Sequence, residues 1–387
     1  MEHLDTECVK LDYGILFDME IDYVDGLWID SFLWIVGAGR LIGDSKYLRK
    51  LDITIWGNCD GYWLEELGQE GLSRNQSIRV LELNIWCCDI LLLAPQLDFI
   101  FRNIRQSSNI RCVICAFGAA DAFNLLASAL YQCENDRLES VTISSRYGET
   151  MNEGGAVFFD ALKKQHKLSH LKIMDVGNSI TKDLNDENSN LLFNLLIGNT
   201  AMISYESNLA IPTTSWNAFS TLFTHPNCSL ENLHLEATHI DDEGVSRLGD
   251  ALRINKTLTR LSLGGKGFTD DGVRQVLCDR SSINSTFDSN HYLRYLSWGG
   301  TGSVWNAMHV FMRMNENDDK SEVARQKILT CHFDSGNNAN LHVFSDMPET
   351  TLPHAIEWIG RNKDGFTLMN NLVRGYPTLL NSRDGSL

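Results

Sequence analysis

The sequence predicts an α/β solenoid: about nine strand–helix repeats, a parallel sheet on the concave face, helices outside, and helical capping at the C-terminus. Three observations predict it. First, a short phrase, apolar-x-x-apolar-x-apolar, recurs along the 387 residues at a nearly fixed interval. Second, the last two apolar positions of each phrase are two residues apart and so share one face of a strand, while the stretches between phrases switch to helical spacing. Third, the chain is 43% hydrophobic and only 21% charged, enough apolar material to bury a core and too much for wholesale disorder.

Taken in order, residues 1–47 read as an N-terminal cap. Nine acids against Lys10 in residues 1–30 are interleaved with Val9, Leu11, Ile15, Leu16, Phe17 and Ile21, the pattern of a folded edge. An apolar helix is expected around Trp28–Ile42. The phrase then appears as Leu48/Leu51/Ile53, Ile78/Leu81/Leu83, Ile110/Val113/Cys115, Leu138/Val141/Ile143 and Leu168/Leu171/Ile173. It returns as Leu230/Leu233/Leu235, Leu258/Leu261/Leu263 and Leu293/Leu296/Trp298. A degenerate copy, Met202/Tyr205/Ser207, divides the long gap between Leu168 and Leu230, leaving open whether 175–229 is a true repeat. Successive first positions then lie 28 to 35 residues apart. Helical faces such as Phe123, Leu126, Ala127 and Leu130 fill the intervals. Neither half of a repeat buries its apolar side alone, so stacked neighbours supply the core over 48–303. Residues 304–387 carry helical patterns at 304–314, 319–331, 353–361 and 366–375, an all-helical cap for the exposed end of the stack.

The sharpest stretch runs from Leu230 to Leu277. Ile240-Asp-Asp-Glu-Gly244 and Phe268-Thr-Asp-Asp-Gly272 lead into helices, and Asn255-Lys-Thr-Leu258 leads out of one. Here the chain resembles the ribonuclease-inhibitor-like class of leucine-rich repeats. That resemblance implies a horseshoe with the sheet lining its inner arc. It also implies an Asn or Cys at the ninth position of each repeat, bonding the backbone of the turn after the strand. These sites hold Trp56, Trp86, Gly118, Arg146, Val176, Thr238 and Lys266 instead, so the turns need another way to satisfy their polar groups. Asn58 and Asn178, two residues late, would serve only after a register shift.

Catalytic and ligand motifs weigh little. Gly37-Ala-Gly39-Arg-Leu-Ile-Gly43 imitates a dinucleotide loop, but the first repeat phrase follows it where a crossover helix should stand, so close helix packing is expected. Cys112 and Cys115 have redox-like spacing yet point to opposite faces of one strand. His170 and His234 should both face the concave surface, two strands apart at about 4.8 Å per step, too far for shared ligation. No metal site, cofactor or catalytic role is expected. The ten cysteines should be free thiols, since a chain of this length needs no covalent staples. Sequons at Asn75, Asn227, Asn255 and Asn284 read as chance matches. A net charge of −17 disfavours nucleic acid and anionic membranes as partners. No long uncharged apolar run and no secretory signal are apparent, so a cytoplasmic location is expected, with the nucleus left open.

The concave positions remain. Charges of both signs there (Lys50, Lys172 and Arg260 against Asp52, Glu82, Glu206 and Glu236) surround an apolar spot at Val80, Cys112, Ile114 and Ala116. The residues expected to contact a protein partner are Glu82, Cys112, Ile114, Thr142, His170, Lys172, Met174, Glu206, His234, Arg260 and Tyr295. The expected function is therefore a non-catalytic interaction scaffold. The alternative is a small-GTPase regulator resembling the Ran GTPase-activating protein, whose strongly acidic tail has no counterpart in 361–387. A sensor arm of a NOD-like receptor would need a nucleotide-binding domain, for which these residues carry no motif.

Overall fold

A computed structural model describes residues 9–10, 26–30, 37–56, 62–86, 90–106, 109–117, 120–132, 137–145, 149–175, 184–236, 240–264, 269, 276–298, 303–333 and 357. The chain divides into two compact units, Met1–His239 and Ile240–Leu387.

In the first unit nine strands follow one another as β1 (Val9–Lys10), β2 (Gly26–Asp30), β3 (Lys50–Trp56), β4 (Val80–Trp86), β5 (Cys112–Phe117), β6 (Ser140–Ser145), β7 (His170–Asp175), β8 (Ser204–Ser207) and β9 (Asn232–Leu235). Each pairs in parallel with the next. Parallel neighbours require a crossover, and helices supply it: α1 (Ala38–Asp44), α2 (Tyr62–Glu66) with its π-helical continuation Leu67–Leu72, α3 (Ile90–Gln106), α4 (Ala120–Tyr131), α5 (Glu149–Lys163), α6 (Asp186–Gly198) and α7 (Trp216–Thr224). In the second unit α8 (Asp242–Ile254) precedes β10 (Arg260–Leu263), which pairs in parallel with β11 (Tyr295–Trp298). Helices Ser303–Asn315 and Lys320–Ile328 follow, the latter ending in a π-helical turn, Leu329–Phe333. Two of the four helices expected after residue 303 are thus present. Of the other two, 353–361 is described only at Glu357, which is helical, and 366–375 lies outside the described residues.

All nine phrases land on β3 to β11, and their apolar positions are the core: Leu51, Ile53, Leu81, Leu83, Val113, Cys115, Leu261 and Leu263 are at most 1% exposed. The degenerate copy is a true repeat. β8 pairs with both β7 and β9, and Met202, Tyr205 and Ser207 are as buried as their counterparts. An aromatic cluster supports it, with Phe219 of α7 against Phe193 of α6 at 5.0 Å and edge-on to Trp216 and Phe223.

Three expectations change. The helix placed around Trp28–Ile42 is instead β2 followed by the short α1, and β2 runs in register with β3, Leu27 opposite Leu51 and Ile29 opposite Ile53. The repeat therefore reaches into the segment assigned to the cap, and Val24/Leu27/Ile29 is the same apolar phrase 24 residues before Leu48. The polar ladder, missing after the strands, stands before them. Asn75, Asn199, Asn255 and Asn290 are each three residues ahead of a first apolar position and at most 5% exposed. Asn75 Nδ2 donates to the carbonyls of Ile42 (2.6 Å) and Ser45 (2.9 Å) one repeat back, while its Oδ1 accepts from the Ser77 and Ile78 amides. Asn290 does the same with Leu252 and Asn255 below and Tyr292 and Leu293 beside it. One amide thus closes its own turn and ties it to the previous one, satisfying backbone groups that burial would otherwise orphan. The sequons at Asn75 and Asn255 fall on this ladder. Of the ninth-position residues, Trp86 ends β4, while Gly118, Arg146, Val176, Thr238 and Lys266 lie outside the described residues, as do Asn58 and Asn178. Third, Ala116, expected in the apolar spot on the concave face, is only 8% exposed, and Thr54 in the same row is 5% exposed. Both are short and flank Asn84 in register, so the larger neighbour shields them.

The glycine run serves packing. Gly37 takes a positive φ of 93° at the start of α1, and a Cβ on Gly39 or Gly43 would stand 2.8 Å or 2.1 Å from the Glu66 or Glu70 carbonyl. Asp241 caps α8, its Oδ1 accepting from the Gly244 amide at 2.8 Å, which gives the Asp-Asp-Glu-Gly lead-in its physical meaning.

Candidate functional site

Strand periodicity places every second residue on the open face, and the parallel register lines these residues up across strands. In the first unit the middle row runs Asp52, Glu82, Ile114, Thr142, Lys172, Glu206, His234, each directly opposite the next. Beside it runs Lys50, Val80, Cys112, Ser140, His170, Ser204, Asn232. All are half-buried, accessible enough to be touched and ordered by their neighbours. Met174 lies in a third row opposite Ser144.

The row changes character along its length. At the β3–β4 end Lys50 Nζ pairs with Glu82 at 2.8 Å, and Asn84 Nδ2 donates to Asp52 at 3.1 Å. Burial, and then the Glu82 charge beside it, pushes the Asp52 carboxyl up to about 6. Next come Val80, Cys112 and Ile114, an apolar step on which the Cys112 thiol is also raised, chiefly by burial. From β7 onward polar pairs return. Lys172 Nζ meets Glu206 at 2.6 Å, and His170 Nδ1 lies 2.7 Å from Ser169 Oγ, its ring held below the usual histidine value first by burial. The Asn208 side-chain amide accepts from the Asp175 backbone N–H and donates to its carbonyl, both at 2.6 Å, fastening the end of β8 to the end of β7. In the second unit, Arg260 and Tyr295 are opposite each other, the guanidinium 5.6 Å from the ring centre, and both are exposed. The expected contact residues of the first unit thus fall on three adjacent rows of one register; Arg260 and Tyr295 form a pair within the second.

Sequence reasoning tested histidine pairs for metal binding and so passed over one group. Possible ligand atoms of Glu206, His234 and Glu236 all lie within 4.8 Å of one another, with His234 Nε2 donating to Glu236 Oε1 at 3.1 Å. One imidazole and two carboxylates suit a borderline divalent ion, but Lys172 already neutralises Glu206 and would have to yield it. The signal was the register itself, Glu206 opposite His234. A second surface was also missed: a shallow pocket of about 460 Å³ between α4 and α5, lined by Tyr131, Val157 and Asp160 among others, with Lys164 Nζ 3.1 Å from the Tyr131 ring centre. No helix among the described residues is long and apolar enough to cross a membrane.

No protein-family model matches the chain. It is similar to NACHT, LRR and PYD domains-containing protein 4C of Mus musculus, 29% identical over 112 residues, which is 29% of this chain and 11% of that one. It is also similar to NACHT, LRR and PYD domains-containing protein 12 of Homo sapiens, 42% identical over 55 residues, 14% of this chain and 5% of that one. The matched segments thus span about a tenth or less of these relatives' length. Among solved structures, a Bacteroides fragilis protein aligns over 62% of this chain and 66% of its own, with 13% identity and a TM-score of 0.34.

Proposed function

We propose that this chain, a leucine-rich repeat protein, is a non-catalytic scaffold that binds a protein partner across the open face of its parallel sheet. The observation carrying this reading is the ladder from Asp52 to His234: six strand steps, about 30 Å, of half-buried residues that pass from acid through apolar to mixed charge. That length suits one side of an interface of standard size, and the apolar step at Val80, Cys112 and Ile114 suits a central anchor with a polar surround. Its partner would present an apolar side chain flanked by a basic group toward Asp52 and Glu82 and an acidic one toward Lys172. The capped Asp-Asp-Glu-Gly lead-in and the buried asparagine before β4, β8, β10 and β11 support the ribonuclease-inhibitor-like subclass.

The test is affinity capture with the native chain and two double variants. Ile114→Asp with Lys172→Glu should weaken the captured complex by more than about 1 kcal/mol and leave the melting temperature nearly unchanged. Tyr131→Ser with Val157→Asp, on the helical side, should leave capture intact. Binding that survives the first pair and fails with the second, or fails on removal of residues 304–387, would place the function elsewhere.

A further inference from the structure

Cys278 and Cys331 are 53 residues apart in the sequence, yet their sulfurs stand 3.3 Å from each other. Cys278 directly follows the helical residues Val276 and Leu277 between β10 and β11, and Cys331 sits in the π-helical turn after the helix Lys320–Ile328. Both are free thiols, Cys278 with 3% of its surface exposed and Cys331 reaching solvent on one side. A second observation comes from the same helix. Lys327 is wholly buried, and its ammonium donates to two neutral acceptors, the carbonyls of Leu277 (2.8 Å) and Asn290 (2.6 Å). Among the described residues no carboxylate pairs with it. A buried cation without an anion is costly, and burial pushes Lys327 down to about 7. The anion nearest to hand is a thiolate of the adjacent pair. Hydrogen bonding from Cys331, aided by Lys327 and Arg280, lowers the Cys278 thiol, while Cys331, which keeps the shared proton, is raised.

We propose that Cys278 and Cys331 are an oxidisable dithiol whose disulfide ties the segment between β10 and β11 to the end of the helix Lys320–Ile328. With hydrogen peroxide as oxidant, the Cys278 thiolate attacks one peroxide oxygen, forming a sulfenic acid and releasing hydroxide. The Cys331 thiol then attacks the oxidised sulfur, its proton leaves with the sulfenic oxygen as water, and the S–S bond closes. Two thiols lose two electrons to one peroxide. A reducing dithiol reverses the step by exchange.

The experiment uses the full chain, reduced, desalted and treated with a small excess of peroxide, then alkylated and digested without reductant. The expected product is a Cys278–Cys331 linked peptide that disappears on addition of dithiothreitol. Lys327→Met should slow its formation by roughly three- to tenfold, and Cys331→Ser should leave a Cys278 sulfenic acid that dimedone traps. Full alkylation of both thiols after peroxide, or linkage to other cysteines in comparable yield, overturns the proposal for the native chain whether or not the variants fold. An unchanged rate in Lys327→Met removes the lysine from it.

Discussion

The two units build the same strand–helix repeat and differ in where they put their lysine and histidine side chains. In Met1–His239 charged and polar side chains stand on the open face, half in water, as with Lys50–Glu82 and Lys172–Glu206. In Ile240–Leu387 the exposed Arg260 and Tyr295 are joined by ionisable groups inside the packing: Lys327 is fully buried, and His291 and His332 are both pushed down to about 4, chiefly by burial. The lesson is that the repeat constrains its apolar positions and, in several copies, the asparagine before them. What fills the remaining ones decides whether a stretch offers a surface or closes an end.

The largest effects should be common to both units. Leu83→Ala in the first and Leu263→Ala in the second remove fully buried side chains and should each cost about 2–5 kcal/mol in urea unfolding. A much smaller cost in one unit would show that its repeats are packed differently.

Acidification should separate the units. For His291 and His332 the folded value lies below the unfolded one near 6.5, so the unfolded state binds more protons. Their contribution is present above that value and is lost as the pH falls toward 4. Asp52 has the opposite sign: its folded value, about 6, exceeds the ordinary 3.8, so its contribution is complete below 3.8 and is lost as the pH rises through 6. After discounting for partial exposure, roughly 1–2 kcal/mol should leave the second unit and about 1 kcal/mol should accrue to the first between pH 7 and 4.5. Hydrogen exchange resolved by peptide, corrected for intrinsic rates, reads both. Parallel behaviour of the two units would break the contrast, and Asp52→Asn should abolish the first unit's gain.

The smallest effect is expected at open-face side chains whose removal leaves no buried group behind. Glu236→Ala, or Ser262→Ala in the second unit, should change stability by no more than about 0.5 kcal/mol. Costs like those of the leucines would mean that this face is packed against something.

The apolar phrase made the repeat legible because strand and helix periodicities are local properties of a chain, and it correctly ordered β3 to β11. Even the degenerate Met202/Tyr205/Ser207 copy could be placed by its spacing alone. Val24/Leu27/Ile29 was equally readable, but its acidic surroundings suggested a cap. Sequence alone also showed the Asn-x-x-Leu lead-out at Asn255. Only the stacked structure revealed that Asn75 and Asn290 reach back one repeat to the carbonyls of the previous turn, because that bond joins residues 30 or more positions apart. The same holds for Asp52, Glu82 and Asn84 as one electrostatic group, for Glu206 beside His234, and for Cys278 against Cys331. Periodicity is written along the chain, whereas proximity between distant side chains arises only when repeats stack, and the chemistry of this protein lies in that proximity.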